Sequence, residues 1–279
     1  MLDTQQKRLS IMNMTMPWRS AVVVPNGFLD LDDRLSLLGL YSRVKISFDS
    51  VSNSGYQAAS VSYSWSHTCS GDRRFLIVSV GMLSAVGNSV SGITYNGIAL
   101  SLIGTQSAGM DVIRTEMWGL VNPTTGSNTI AVTLNSSTVS IAEATSWAGV
   151  NQSTPTEGLA GAGATNMGAA DATVDVTTST AEDYVIDAVT SDDAAITAAS
   201  DQVARANVSG PMASLGMSTH NVPVSPPATI TQSYTNVGMG AIWAILALGI
   251  IPAGEATGVA TRLVNAKARV KTLVGGMLT

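Results

Sequence analysis

The sequence predicts an all-β protein, a two-sheet antiparallel β-sandwich with an extended N-terminal arm and a basic C-terminal arm. Three observations carry that expectation. Between Ser60 and Ile251 the chain reads as roughly ten short alternating or uniformly apolar runs parted by Gly, Asn, Ser and Pro turns, the pattern of half-buried and fully buried strands. No segment there keeps a helical period, so the strands have only one another to pack against, as two stacked sheets. The same stretch holds no lysine and sets thirteen carboxylates against four arginines. Jelly roll is the first topology expected and an immunoglobulin-like Greek key the second.

The elements follow in order. Residues 1–50 are too few for a core of their own and are expected to be an anchoring arm. Met12, Met14, Met16 and Trp18 alternate with polar or small residues, as in a strand laid on an apolar surface. That surface belongs to another protein or to the chain's own body. A Ser-Asn-Gly linker is expected over Val51–Gly55, opening a body over 51–252. Ser60–Thr68 alternates, with Val61, Tyr63, Trp65 and His67 on one face, and Phe75–Val80 suits a central strand. Asn96-Gly97 marks a hairpin, because both residues tolerate the positive φ of a type I′ turn. Strands are expected at Val112–Val121, Thr129–Leu134 and Val139–Val150. Gly158–Ala172 shrinks to Gly, Ala, Thr and Asn with one Met and reads as a mobile loop. Thr173–Thr177, Tyr184–Thr190, Gln202–Val208, Ala213–Val222 and Thr229–Ile251 complete the strands, the last divided near Gly238 or Gly240.

Residues 253–279 form the C-terminal arm and read two ways. Val259, Leu263, Ala266, Val270, Leu273 and Met277 make a heptad stripe, whereas Val264 to Lys271 alternates strictly, as in a strand with one basic face. Either form presents Arg262, Lys267, Arg269 and Lys271 outside an anionic body. Net charge runs about +1, −9 and +3 along the three parts, a layout suited to a building block whose arms lie on neighbouring copies.

Composition also excludes. Cys69 is the single cysteine, so no intrachain disulfide forms, and with no His-Asn constellation apparent it reads as a strand residue. Ile11–Trp18 is too short and mixed for a signal core. Val237–Ile251 is too short to span a bilayer and contains glycines, so it reads as a buried last strand. His67 and His220 lie in no catalytic or metal spacing, and no Gly-x-Ser-x-Gly elbow or phosphate loop is present. The acidity of the body argues against nucleic-acid packaging. One acidic group, Glu182-Asp183, Asp187, Asp192-Asp193 and Asp201, reads as a solvated edge. Asp183, Asp187, Asp192 and Asp193 are the candidate Ca²⁺ ligands within it. Trp65, Trp118 and Trp147 sit in strand patterns and read as core, with stacking on a sugar as the alternative.

Two parts of the chain resemble known proteins. Lys7-Arg8, Met16-Pro17-Trp18, Val24-Pro25-Asn26-Gly27, Asp33-Arg34 and Leu38-Gly39-Leu40-Tyr41-Ser42 resemble a short leader of small structural proteins of tailed bacteriophages. Arg74-Phe75-Leu76-Ile77-Val78, Ile93-Thr94-Tyr95-Asn96-Gly97, Glu116-Met117-Trp118-Gly119-Leu120-Val121-Asn122-Pro123 and Trp147-Ala148-Gly149-Val150 resemble the β-sandwich modules of phage virion proteins. The resemblance implies a virion structural component and carries over no catalytic residue. The expectation is therefore a non-enzymatic, homo-oligomeric particle protein, placed first in capsid decoration and second in a tail or collar fibre. Its partners would be other copies of itself and other virion proteins, with a host-surface glycan as the alternative and no membrane or nucleic acid.

Overall fold

The computed structural model describes residues 44–83, 87–165, 171–192, 196–235 and 240–254. Its strands are β1 (Ser47–Cys69), β2 (Phe75–Leu83), β3 (Val90–Tyr95), β4 (Ile98–Ala99), β5 (Ser101–Ala108), β6 (Ile113–Val121) and β7 (Gly126–Ala148), then β8 (Thr156–Thr165), β9 (Ala172–Thr177), β10 (Tyr184–Ser191), β11 (Thr197–Ala198), β12 (Gln202–Ser209), β13 (Ser214–His220), β14 (Thr229–Thr235) and β15 (Ile242–Ile250). They form three antiparallel sheets. The first runs β4-β3-β7-β2-β6-β5 with β1 on the other side of β7, the second β12-β13-β10-β15-β8, and the third β11-β14-β9.

The expected antiparallel sandwich is the contact between the first and second sheets. Phe75, Ile77, Met117, Ile141 and Trp147 of the first meet Ile186, Leu215, Met217, Leu246 and Leu248 of the second. The strand complement exceeds that of a jelly roll or an immunoglobulin-like domain, because each sheet has a second covered face. The first sheet covers itself. β1 and β7 pair along their whole lengths, and β1 is bulged between Asn53 and Ser62, which bends the ribbon. Ile130, Val132 and Leu134 of one half of β7 then pack on Ala142 and Ala144 of the other, with Leu76, Val78, Val80 and Met82 enclosed. The third sheet covers the outer face of the second, where Val174, Val176 and Tyr234 meet Val185, Val189, Trp243 and Ile245. A strand covered on both faces needs apolar residues at every position. β15 meets that demand and β2 meets it at every position but Ser79, and Val237–Ile251 is accordingly a sheet strand over Ile242–Ile250.

Three expectations are corrected. Val51–Gly55 is no linker: it lies within β1, where Val51 pairs with Thr145 and Asn53 with Glu143. Thr129–Leu134 and Val139–Val150 merge into the single strand β7. The Gly/Ala stretch supplies β8, paired to β15 from Thr156↔Ile250 to Thr165↔Ile242. Its small residues answer close approach rather than mobility. A Cβ on Gly163 would stand 2.9 Å from Ala108 Cβ, 3.0 Å from the Ser107 carbonyl and 3.1 Å from that of Trp243. The hairpin turn is as expected, with Asn96 and Gly97 at φ of 52° and 77°.

Polar outward positions keep this lightly charged surface wet. Ser62, Ser64, Ser66 and Thr68 of β1 and Ser127, Thr129 and Thr133 of β7 are all exposed. Gly163→Ala should lower unfolding stability by about 1–3 kcal/mol through overpacking against backbone that cannot yield. Denaturant titration checks this, and an unchanged midpoint would mean that β8 is loosely held.

Candidate functional site

The candidate Ca²⁺ ligands do not meet in one cage. Asp183 and Asp187 are fully buried, not part of a solvated edge. Asp192 Oδ1 accepts the N–H of Ile242 at 2.8 Å. Asp193 lies outside the described residues, as do the expected interface residues Met12, Met14, Met16, Trp18, Arg262, Lys267, Arg269 and Lys271. Among the described residues no three His, Cys, Asp or Glu side chains converge as a metal group.

The structure instead assembles a dry polar network around Asp187, between the second and third sheets. The strand alternation that turns Ile186 and Ala188 toward the first sheet turns Asp187 the other way. There Oδ1 accepts from Tyr234 Oη (2.7 Å) and Ser218 N (3.1 Å), and Oδ2 accepts from Ser218 Oγ (2.7 Å) and Gln202 Nε2 (2.9 Å). Gln202 Nε2 also reaches Ser218 Oγ at 2.5 Å, and its Oε1 accepts the N–H of Ser233 at 2.7 Å. Gln232, fully buried, brings its side-chain amide to 3.1 Å from Asp187 Oδ2 and 2.7 Å from Gln202 Nε2. Burial pushes the Asp187 carboxyl up and these donors hold it back, leaving it at about 7. Such a group exchanges a proton near neutrality.

Two further buried carboxyls, Asp183 and Glu143, stand apart from it, the first beside the half-buried Glu157. Glu157 on β8 accepts from the backbone and hydroxyl groups of both Ser179 and Thr180. Partial burial works to raise its pKa, but these donors and Asp183 bring it down to about 2. Asp183 is raised to about 9, by burial first and then by Glu157. Of the two, Asp183 is the neutral acid and Glu157 the carboxylate. Glu143 on β7 faces the second sheet, opposite Ser79 of β2. Both side chains are fully buried and lack a hydrogen-bond partner among the described residues. Burial holds Glu143 well above the carboxylate range.

A serine and a histidine also meet where the bent β1 closes on itself. Ser52 Oγ lies 2.7 Å from His67 Nδ1 and accepts from Trp65 Nε1 at 2.9 Å. The arrangement is a poor nucleophile pair. Burial drives the imidazole down to about 4 despite the nearby Asp49, so it is a weak base at neutral pH. Asp49 commits its oxygens to Ser70 and Ser146, and His67 Nε2 has no partner among the described residues. Cys69, fully buried nearby with its thiol pushed up by burial, is a core residue. Trp147 is likewise sealed, packed on Phe48 and Tyr184 beneath the Arg205 guanidinium, and offers no sugar platform. Trp65 and Trp118 are half-buried and spend their indole N–H groups on Ser52 and Glu116.

Sequence reasoning missed Gln202, Ser218, Gln232, Tyr234, Glu143 and Glu157 as site residues. For Asp187 and Glu143 a signal existed: each interrupts an apolar strand, Val185-Ile186-Asp187-Ala188-Val189 and Ile141-Ala142-Glu143-Ala144. Compared with family models, curated proteins and solved structures, the chain matches none.

Glu143 yields a signed pH dependence. Its folded pKa is raised, so its contribution is intact below the unfolded value near 4.3 and is lost as pH rises toward the folded one. Glu143→Gln should therefore stabilise the fold by roughly 1–3 kcal/mol at pH 7 and change little at pH 4. Denaturation at both pH values checks it, and equal effects at the two would contradict a neutral buried carboxyl.

Proposed function

We propose that the protein is a non-enzymatic structural component of a tailed-phage particle, a capsid decoration subunit held to its neighbours by its terminal segments. The observation that carries this reading is the separation of charge. On the body, Asp72, Asp111, Asp171, Asp175 and Asp201 are exposed. Its arginines are engaged: Arg73 and Arg74 on carbonyls, Arg114 on Glu116, Arg205 on Phe48 and Thr219. Lys7, Arg8 and Arg19 precede the body, and Arg262, Lys267, Arg269 and Lys271 follow it. A cationic segment of one copy is thus complementary to the anionic surface of the next, which favours ordered association over self-contact of like surfaces.

Sheet edges supply the second support. β5, β8 and β12 each end a sheet, and a terminal strand presents backbone groups to which an added strand can bond. The resemblance to phage virion modules supplies the setting. The Ser52–His67 pair, with its depressed imidazole, gives no support to hydrolytic turnover.

Removing residues 1–43 or 255–279 should lower occupancy on particles that lack the protein by at least about tenfold, a loss of roughly 1.4 kcal/mol. The melting temperature of each truncated chain reports that the body stays folded. Cosedimentation measures occupancy, and cryo-EM of decorated particles separates shell from tail. Wild-type occupancy by both truncated chains would overturn the reading.

A further inference from the structure

We propose that Gln202 and Ser218 become joined by an intramolecular ester bond, formed within the Asp187 network with release of ammonia. The inference stands on the placement of the reacting groups and does not depend on where the protein resides.

The groups that acyl transfer needs lie within hydrogen-bond reach of one another. The nucleophile is Ser218 Oγ, which donates to Asp187 Oδ2 at 2.7 Å. The leaving group is Gln202 Nε2, 2.5 Å from that same Oγ and 2.9 Å from that same Oδ2. One carboxylate oxygen thus touches both the proton to be removed and the nitrogen that must receive it. The amide oxygen Oε1 accepts the Ser233 N–H at 2.7 Å, and this donor stabilises the negative charge that develops there when the carbonyl is attacked. Asp187 cannot turn away, because Tyr234 Oη and Ser218 N hold Oδ1. Tyr234 is itself seated against Gly216, where a Cβ would stand 3.0 Å from its ring.

The step balances without a co-reactant. Ser218 Oγ bonds to Gln202 Cδ as its proton passes to Asp187 Oδ2. The tetrahedral centre collapses, the Cδ–Nε2 bond breaks, and Asp187 returns the proton to the departing nitrogen. Ammonia leaves, and Asp187 is again a carboxylate. Holding both reactants on adjacent strands removes the entropic penalty of bringing them together. Escape of ammonia into solvent opposes reversal. Ser218, Asp187, Gln232 and Tyr234 are buried to within a few per cent of fully and Gln202 is 8% exposed, and the scarcity of water that this implies slows hydrolysis of the ester.

The product would be a covalent staple at a vulnerable place. β12 is one of the two terminal strands of the second sheet and pairs only with β13, so it is a strand open to being peeled away. An ester from Gln202 at its start to Ser218 on β13 ties it down, in a chain whose single cysteine allows no intrachain disulfide.

Mass spectrometry of the full-length chain, aged at neutral pH and then denatured, tests this directly. The expected mass is lighter than that of the sequence by one ammonia. Trypsin locates the loss, because Arg205 is the only Lys or Arg between Gln202 and Ser218. The peptides Thr115–Arg205 and Ala206–Arg262 should emerge as one linked species that mild hydroxide separates. Ser218→Ala should give two separate peptides with no ammonia lost. A wild-type chain of full sequence mass would overturn the proposal. So would loss of ammonia with the two peptides unlinked, which would place it at another amide. The wild-type measurement decides even where the variant fails to fold.

Discussion

Burial of both faces of the two central sheets is the constraint on which the rest of the structure depends. β2 lies between the first sheet's bent-over half and the second sheet, and β15 lies between the first sheet and the third. Neither strand has a face on which water could solvate a polar side chain, so each is apolar nearly throughout, and the hydrophobic contribution of each residue approaches its full value. The covers are consequences. The long β1–β7 ribbon must bend to close one core, and β9, β11 and β14 must dock to close the other.

Polar groups trapped by this double cover have to be answered locally. Thr115 Oγ1 bonds both Thr190 Oγ1 (2.7 Å) and the Ala244 carbonyl (2.8 Å), linking the first and second sheets. Asp187 collects donors from β12, β13 and β14, so the third sheet is fixed to the second by directional bonds as well as by apolar contact. Glu143 and Asp183 are exceptions, buried carboxyls whose oxygens find no hydrogen-bond partner among the described residues, as are Ser79 Oγ and His67 Nε2. The same dryness that makes Glu143 costly is what makes the Asp187 cluster chemically capable, since a low-dielectric site strengthens every interaction that a transferring proton meets.

Much of the fold was legible because strand periodicity is local. Phe75–Val80, the Asn96-Gly97 turn and Val112–Val121 needed only neighbouring residues to read. The errors arose where distant chain segments decide the outcome. Gly161 and Gly163 look like a loop until β5 is placed against them, and Val51–Gly55 looks like a linker until β7 is paired with it. The site was less legible still. Asp187 reads in sequence with Asp192 and Asp201 as surface acidity, although its apolar neighbours mark it as internal. Gln202 and Ser218 carry no pattern of their own, and only the pairing of β12 with β13 and the docking of β14 bring them to Asp187.

Native-state hydrogen exchange measures the double cover directly. The account predicts that amides in β2, β10 and β15 exchange only through global unfolding, whereas those in the terminal strands β5 and β12 exchange through smaller openings. Exchange in β10 and β15 as fast as in β5 would mean that the third sheet does not seal the second, and would contradict the account at its base.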